Sequence, residues 1–240
     1  MKNLSYLVIA SCVISFSSCI NFGGRRVNGN GHITTDVRSA KVTDRIKVLG
    51  SMDVILNEGP SSIKVETDEN IIPYIITDVK DGMLEIRTEN DVNINTSNKV
   101  KVYVTTPSIS DINIAGSGNV NSEARFNSNE KINFSISGSG DIDCAVNAPE
   151  VDASISGNGD IKLEGETKDV SVHIIGNGDY QSNSLKAENA RVNITGSGDV
   201  SLFADATLHV EITGSGSVKY KGNATVDKKI TGSGSVEKIE

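Results

Sequence analysis

The 240-residue sequence has no tryptophan, and aromatic residues make up only 4% of it. A core of bulky rings is therefore ruled out. Any core must rest on β-branched aliphatic side chains packed repetitively, which leans towards an all-β fold. Positive charge is also short, with 23 lysines and arginines against 31 aspartates and glutamates, a formal net charge of −8. Such acidity argues against a nucleic-acid partner, whose phosphates call for clustered lysine and arginine. Cysteine occurs at Cys12, Cys19 and Cys144 alone. Past the first twenty residues no long hydrophobic run remains, and no Pro/Gly/Ser-rich linker divides the chain.

The N-terminus begins MKN, continues as LSYLVIASCVISF and reaches SSC at Cys19. A short basic start, an apolar stretch too short to span a bilayer comfortably and small residues at the cut describe a secretory signal over residues 1–18. Phe16-Ser17-Ser18-Cys19 is similar to a bacterial lipobox, in which the cysteine is acylated and becomes the first residue of the mature chain. Ile9-Ala10-Ser11-Cys12 fits that pattern more strictly, but cleavage there leaves too short an apolar core for export. Cys19 is the expected lipid attachment site, with an outer-membrane lipoprotein, facing the periplasm or the surface, as the expected product. Loss of Lys2 with the leader takes the formal charge to −9. Cys144 is then left without a partner, so no intramolecular disulfide is expected. The sequons at Asn95, Asn193 and Asn223 read as chance matches beside a lipobox.

Glycine is plentiful, at 23 residues, and it is ordered. The phrase ITGSGDV at Ile194 returns as IAGSGNV, ISGSGDI, ISGNGDI, IIGNGDY and, twice, ITGSGSV. The first glycines are Gly116, Gly138, Gly157, Gly176, Gly196, Gly214 and Gly232, at spacings of 22, 19, 19, 20, 18 and 18 residues. A period near twenty marks stacked repeats. Around each phrase apolar and small polar residues alternate, which is the period of a strand. The inward column two residues before each isoleucine reads Ile112, Phe134, Ala153, Val172, Val192, Val210 and Lys228, broken only in the last copy. The expected fold is an all-β parallel β-helix or β-solenoid of about 18–22 residues per coil. Its coils lie roughly 4.8 Å apart, and each buried aliphatic side chain contributes on the order of 1.5–3 kcal/mol.

In this reading G-x-G is a corner. The glycines supply positive φ and close packing between coils, and the Asp, Asn or Ser that follows bonds a nearby amide. A phosphate loop would require a third glycine or a Gly-Lys-Ser/Thr run leading into a helix. Calcium coils repeat every nine residues, half the period found here, and the corner column Asn119, Asp141, Asp160, Asp179, Asp199, Ser217, Ser235 suits hydrogen bonding better than cation binding. No metal and no cofactor is expected.

Residues 45–105 also alternate, and Gly50-Ser51-Met52-Asp53-Val54 resembles a worn eighth corner, so the first half should continue or cap the same stack. The expected organisation is a leader at 1–18, a flexible tether at 19–35 and one domain at 36–240, with an N-terminal half of about 36–110 and regular repeats at 111–240. The chain resembles the auto-transporter adhesin, head GIN domain family, through GNGHITTDVR from Gly29, GSMDVIL from Gly50, VETDENIIPYI from Val65, the turn at Asp81–Leu84 and the repeated corners. The resemblance implies a β-helical, exported or lipid-anchored protein without a catalytic site.

A lipid-tethered binding module is therefore the leading expectation, with a surface polymer, glycan or protein as partner and the membrane engaged through the anchor. Its candidate face comprises Ser135, Ser137, Ser156, Asn193, Thr195, Thr213 and Thr231, from the two outward columns beside the repeated isoleucine. A self-associating envelope scaffold, a homo-oligomer joined at an open end of the stack, is the alternative. A polysaccharide-active enzyme is disfavoured, because the acids are spread thinly and the histidines are only His32, His173 and His209.

Overall fold

The computed structural model describes residues 24–39 and 43–240. The expected leader, Cys12 and Cys19 lie outside the described residues. The rest is a β-solenoid, as the period requires. Each regular coil runs along one wall, bends, runs along a second wall and closes at the G-x-G corner. In the middle of the stack the chain is extended through the bend as well, in the strands Asp141–Gly157, Ile161–Gly176, Tyr180–Gly196 and Val200–Gly214.

Register in a parallel sheet is fixed by which side chains must be buried, since a slip of one residue would turn every apolar side chain outward. The repeated isoleucines accordingly pair in one unbroken column: Ile114, Ile136, Ile155, Ile174, Ile194, Ile212 and Ile230. All but the last, Ile230, are at most 2% exposed. The neighbouring column from Ile112 to Lys228 stacks in the same way, and Lys228 alone in it is exposed, on Thr225–Gly232, the strand that ends this wall. An inward-directed charge on an edge strand discourages further pairing at that end.

The N-terminal half both continues and caps the stack. Gly50 pairs with Gly116 and Asp53 with Asn119, so the worn corner is a genuine coil. Beneath it, Met83–Thr88 and Lys101–Thr106 still run parallel to their neighbours. The next strands reverse: Ile75–Lys80 and Ser62–Asp68 are antiparallel to them. Asp81 and Gly82, with φ of 51° and 75°, make the tight hairpin that turns the chain back. Ile72–Tyr74 forms a single 3-10 turn between the two walls, which agrees with the exclusion of a long helix around Pro73.

Within the expected tether of 19–35, residues 25–28 and 33–35 are strand. Arg25–Asn28 forms a parallel pair with Val92–Asn95, and Ile33–Arg38 is the antiparallel edge strand beside Ser62–Asp68. The glycines and asparagines that suggested flexibility are the turn chemistry joining these two strands. Asp68, 1% exposed, accepts the Gly31 N–H at 2.5 Å and the Thr96 hydroxyl, while the Asn70 side chain accepts the Asn30 N–H at 3.0 Å and donates to the Asn28 carbonyl at 2.7 Å.

The Thr96 hydroxyl, foremost, and the Gly31 amide hold the Asp68 carboxyl below its ordinary value, against the opposing effect of burial. Because the folded-state pKa is depressed, the stabilisation is complete above the unfolded value and is lost as pH falls through the folded one. Acidification should therefore release residues 24–38 before the solenoid unfolds. Amide hydrogen exchange across the acidic range should show protection of Gly31 and of Ile33–Arg38 lost first; Asp68→Asn should remove the pH dependence of that loss.

Candidate functional site

All seven residues of the expected binding face lie on the second wall, in two adjacent outward columns. One column pairs Ala115, Ser137, Ser156, Ile175, Thr195, Thr213 and Thr231 in sequence; the other pairs Asn113, Ser135, Ser154, His173, Asn193, Glu211 and Lys229. Ser137, Ser156, Thr195, Thr213 and Thr231 are exposed, whereas Ser135 and Asn193 are half-buried between neighbours. Ile175, 49% exposed, interrupts the hydroxyl column with an apolar side chain. The wall is thus a rigid array of small side chains in coil register, bordered by charge. At its C-terminal end Lys229 donates to Glu211 at 2.7 Å, which lowers the carboxyl and raises the ammonium from their usual values. Lys131 bridges Asp152 and Glu150, and that pairing raises its pKa.

The corners carry a second ordered array. Each Asn or Asp Oδ1 accepts the backbone N–H of the equivalent residue one coil on: Asn119 from Asp141, Asp141 from Asp160, Asp160 from Asp179 and Asp179 from Asp199, at 2.9–3.2 Å. Asp199 ends the run by accepting both the Ser217 amide and its hydroxyl. The hydrogen-bonding role expected for this column is the one observed. Among the described residues no group of three or more His, Cys, Asp or Glu side chains is placed to hold a metal ion.

A third feature carries no motif that sequence reading could use. Where the chain bends between the walls, a groove of about 630 Å³ runs along the stack. Its floor is the inward-leaning Ala148, Thr167 and Ala187, each under 9% exposed. One side is the column Asn127, Asn147, Glu166, Lys186 and Phe203, paired coil by coil. The other includes Lys168, Glu188 and Asp205, all exposed. Asn147 donates to Asn127 Oδ1 at 2.8 Å and accepts the Glu166 N–H at 3.1 Å, and the Lys186 ammonium lies 4.0 Å over the Phe203 ring. Small side chains at the bend, Ala148, Thr167 and Ala187, are the hint the sequence offers.

The buried polar groups do not supply a nucleophile. Burial pushes the Cys144 thiol up to about 12, so it is protonated at neutral pH and unreactive. Burial also raises Tyr180, fully enclosed in the core.

Repeats in register and ordered outward columns define the chain as a β-solenoid with a lateral groove. Residues 44–224 match the family model described as "Putative auto-transporter adhesin, head GIN domain", and the chain belongs to that family. Among solved structures it is similar to a putative adhesin from Bacteroides fragilis, at 22% identity and a TM-score of 0.84, over 89% of this chain and all of that one. It is also similar to a putative lipid binding protein from Parabacteroides distasonis, at 26% identity and a TM-score of 0.76, over 90% of this chain and all of the other. A putative adhesin from Parabacteroides merdae shares 23% identity at a TM-score of 0.72, over 90% and 99% of the two chains. No curated protein matches the sequence.

Proposed function

We propose that the protein is a non-enzymatic binding module of the cell envelope, carried on a lipid at Cys19 and presenting its solenoid to a surface polymer, glycan or protein. The observation that carries the reading is the second wall. Six of the seven coils, all but that of His173 and Ile175, place a hydroxyl or amide side chain in these columns, on a backbone that the stack holds rigid, so a partner meets a preorganised surface and little ordering entropy opposes contact. The adhesin description of the family points the same way. Carboxylates on the walls are engaged with lysines or with neighbouring amides, as at Glu211, Asp152 and Asp160, which suits a structural surface better than acid–base chemistry.

Three experiments test it. The wild-type chain should sediment with outer membranes and incorporate labelled fatty acid, and Cys19→Ser should abolish both. Protease treatment of intact cells should degrade the solenoid if it is displayed outward and spare it if it faces the periplasm. A Cys19→Ser chain that keeps its lipid and its membrane association removes the anchor from the proposal. A purified chain that retains no envelope polymer or protein above background removes the binding role.

A further inference from the structure

The groove at the bend points to a ligand class. We propose that it binds a linear, uncharged polysaccharide lying along the solenoid axis, an inference that rests on the binding-module reading and deepens it. Three observations support this.

The first is shape and repeat. Small side chains at Ala148, Thr167 and Ala187 leave a channel open over successive coils. Coils are spaced roughly 4.8 Å apart, close to the advance of one sugar ring along an extended chain, so each level of the groove meets one ring. An extended peptide advances by roughly 3.3 Å per residue and falls out of step. It would also seek a free strand edge, whereas the strands beneath the groove are already paired on both sides.

The second is chemistry. Asn127, Asn147, Glu166 and Lys186 offer acceptors and donors at successive levels, as hydroxyl groups that both give and take hydrogen bonds require. Phe203 adds an apolar ring at the end of that column, under the Lys186 ammonium. The lining carries three carboxylates, Glu166, Glu188 and Asp205, against two ammonium groups, Lys168 and Lys186, so the channel has no excess positive charge to draw a polyanion.

The third is where the repeat is broken. Between Ser182 and Lys186 one strand carries three residues for which its neighbour, stepping from Leu202 to Phe203, has no counterpart. Beyond Ala187 the neighbour gains a residue in turn. Bulges of this kind re-aim side chains and gather at binding sites. Here they set Lys186 opposite Phe203 at the head of the groove.

The test is calorimetric titration of the full chain in detergent with cellohexaose, xylohexaose and mannohexaose, each neutral and β-1,4-linked, and with polygalacturonate as an anionic comparison. At least one neutral hexaose should bind, more tightly than its disaccharide and at least tenfold more tightly than polygalacturonate per site. Glu166→Ala and Lys186→Ala, both at exposed positions, should each weaken it about tenfold without changing the melting temperature, while Gln181→Ala on the first wall should leave it unchanged. Binding by the wild type that both groove variants retain would overturn the placement in the groove and leave the module reading standing. Preference for polygalacturonate, or no binding of any neutral hexaose, would overturn the ligand class, whereas the module reading fails only if the envelope retention experiment also fails.

Discussion

Gly159→Val should unfold the protein, or leave it so weakened that it melts far below the wild type. Gly159 is the second glycine of its corner and has no unusual φ, so conformational freedom is not what it provides. A Cβ built there lies 2.1 Å from the Gly140 carbonyl oxygen and 2.9 Å from Ile136 Cγ2. The first obstacle is backbone and cannot swing aside. Relief requires the coils to part, which breaks the Asn158 N–H bond to the Gly138 carbonyl and the Asp160 N–H bond to Asp141. A loss on the order of 4 kcal/mol or more is expected, a large share of the stability of a typical domain. Gly50→Ala provides the comparison. Gly50 has φ of +107°, yet a Cβ there meets nothing within 4 Å, so the cost is backbone strain alone, about 1–3 kcal/mol. Denaturant midpoints followed by circular dichroism separate the two; equal midpoints would show that corner contact is unimportant.

The same geometry explains why the eighth corner looked worn. In Gly50-Ser51-Met52-Asp53 a methionine occupies the place of the second glycine, and Met52 is 3% exposed rather than clashing. Second glycines are imposed by the corner beneath: Gly118 sits over the Met52 carbonyl, Gly140 over that of Gly118 and Gly159 over that of Gly140. Met52 begins the run and has no such corner below it. The isoleucine of the motif belongs to the same contact, because its Cγ2 occupies the space next to the glycine of the following coil, as Ile136 does at Gly159 and Ile155 at Gly178.

That is why so much of the stack could be read from the chain. Contacts between coils join residues 18 to 22 apart, so tertiary structure appears in the sequence as a period, and the columns around Ile136, Ile155, Ile174 and Ile194 follow. The cap was less legible because its contacts are not periodic. Arg25 pairs with Val92, and Gly31 meets Asp68, with no repeated residue to announce either. Gly29-Asn30-Gly31, within the span expected as tether, is a turn held by Asp68 and Asn70. The groove was hidden for a related reason. Its column reads Asn127, Asn147, Glu166, Lys186, Phe203, with no shared residue type, and the bulge at 183–185 shifts the spacing where the alignment would be needed. The two outward columns were located correctly because they flank the isoleucine marker.

Ile155→Ala should produce the second large effect, and its size should depend on position along the stack. Ile155 is 1% exposed and sits between Ile136 and Ile174, so truncation leaves a void that neither neighbour can fill without abandoning its own place in the column. The expected cost is about 2–5 kcal/mol. Ile230→Ala, in the half-buried last member of the same column, should cost less than half as much, because that side chain has a neighbour on one side only among the described residues. In a stack where each coil is stabilised chiefly by the next, a weakened central layer also divides the cooperative unit, whereas a weakened end layer merely frays. Urea unfolding of Ile155→Ala should thus show a shallower transition as well as a lower midpoint, and hydrogen exchange should reveal the coils on either side of Ile155 opening separately. Equal losses at positions 155 and 230, with transitions of unchanged steepness, would mean that the column does not transmit stability from coil to coil.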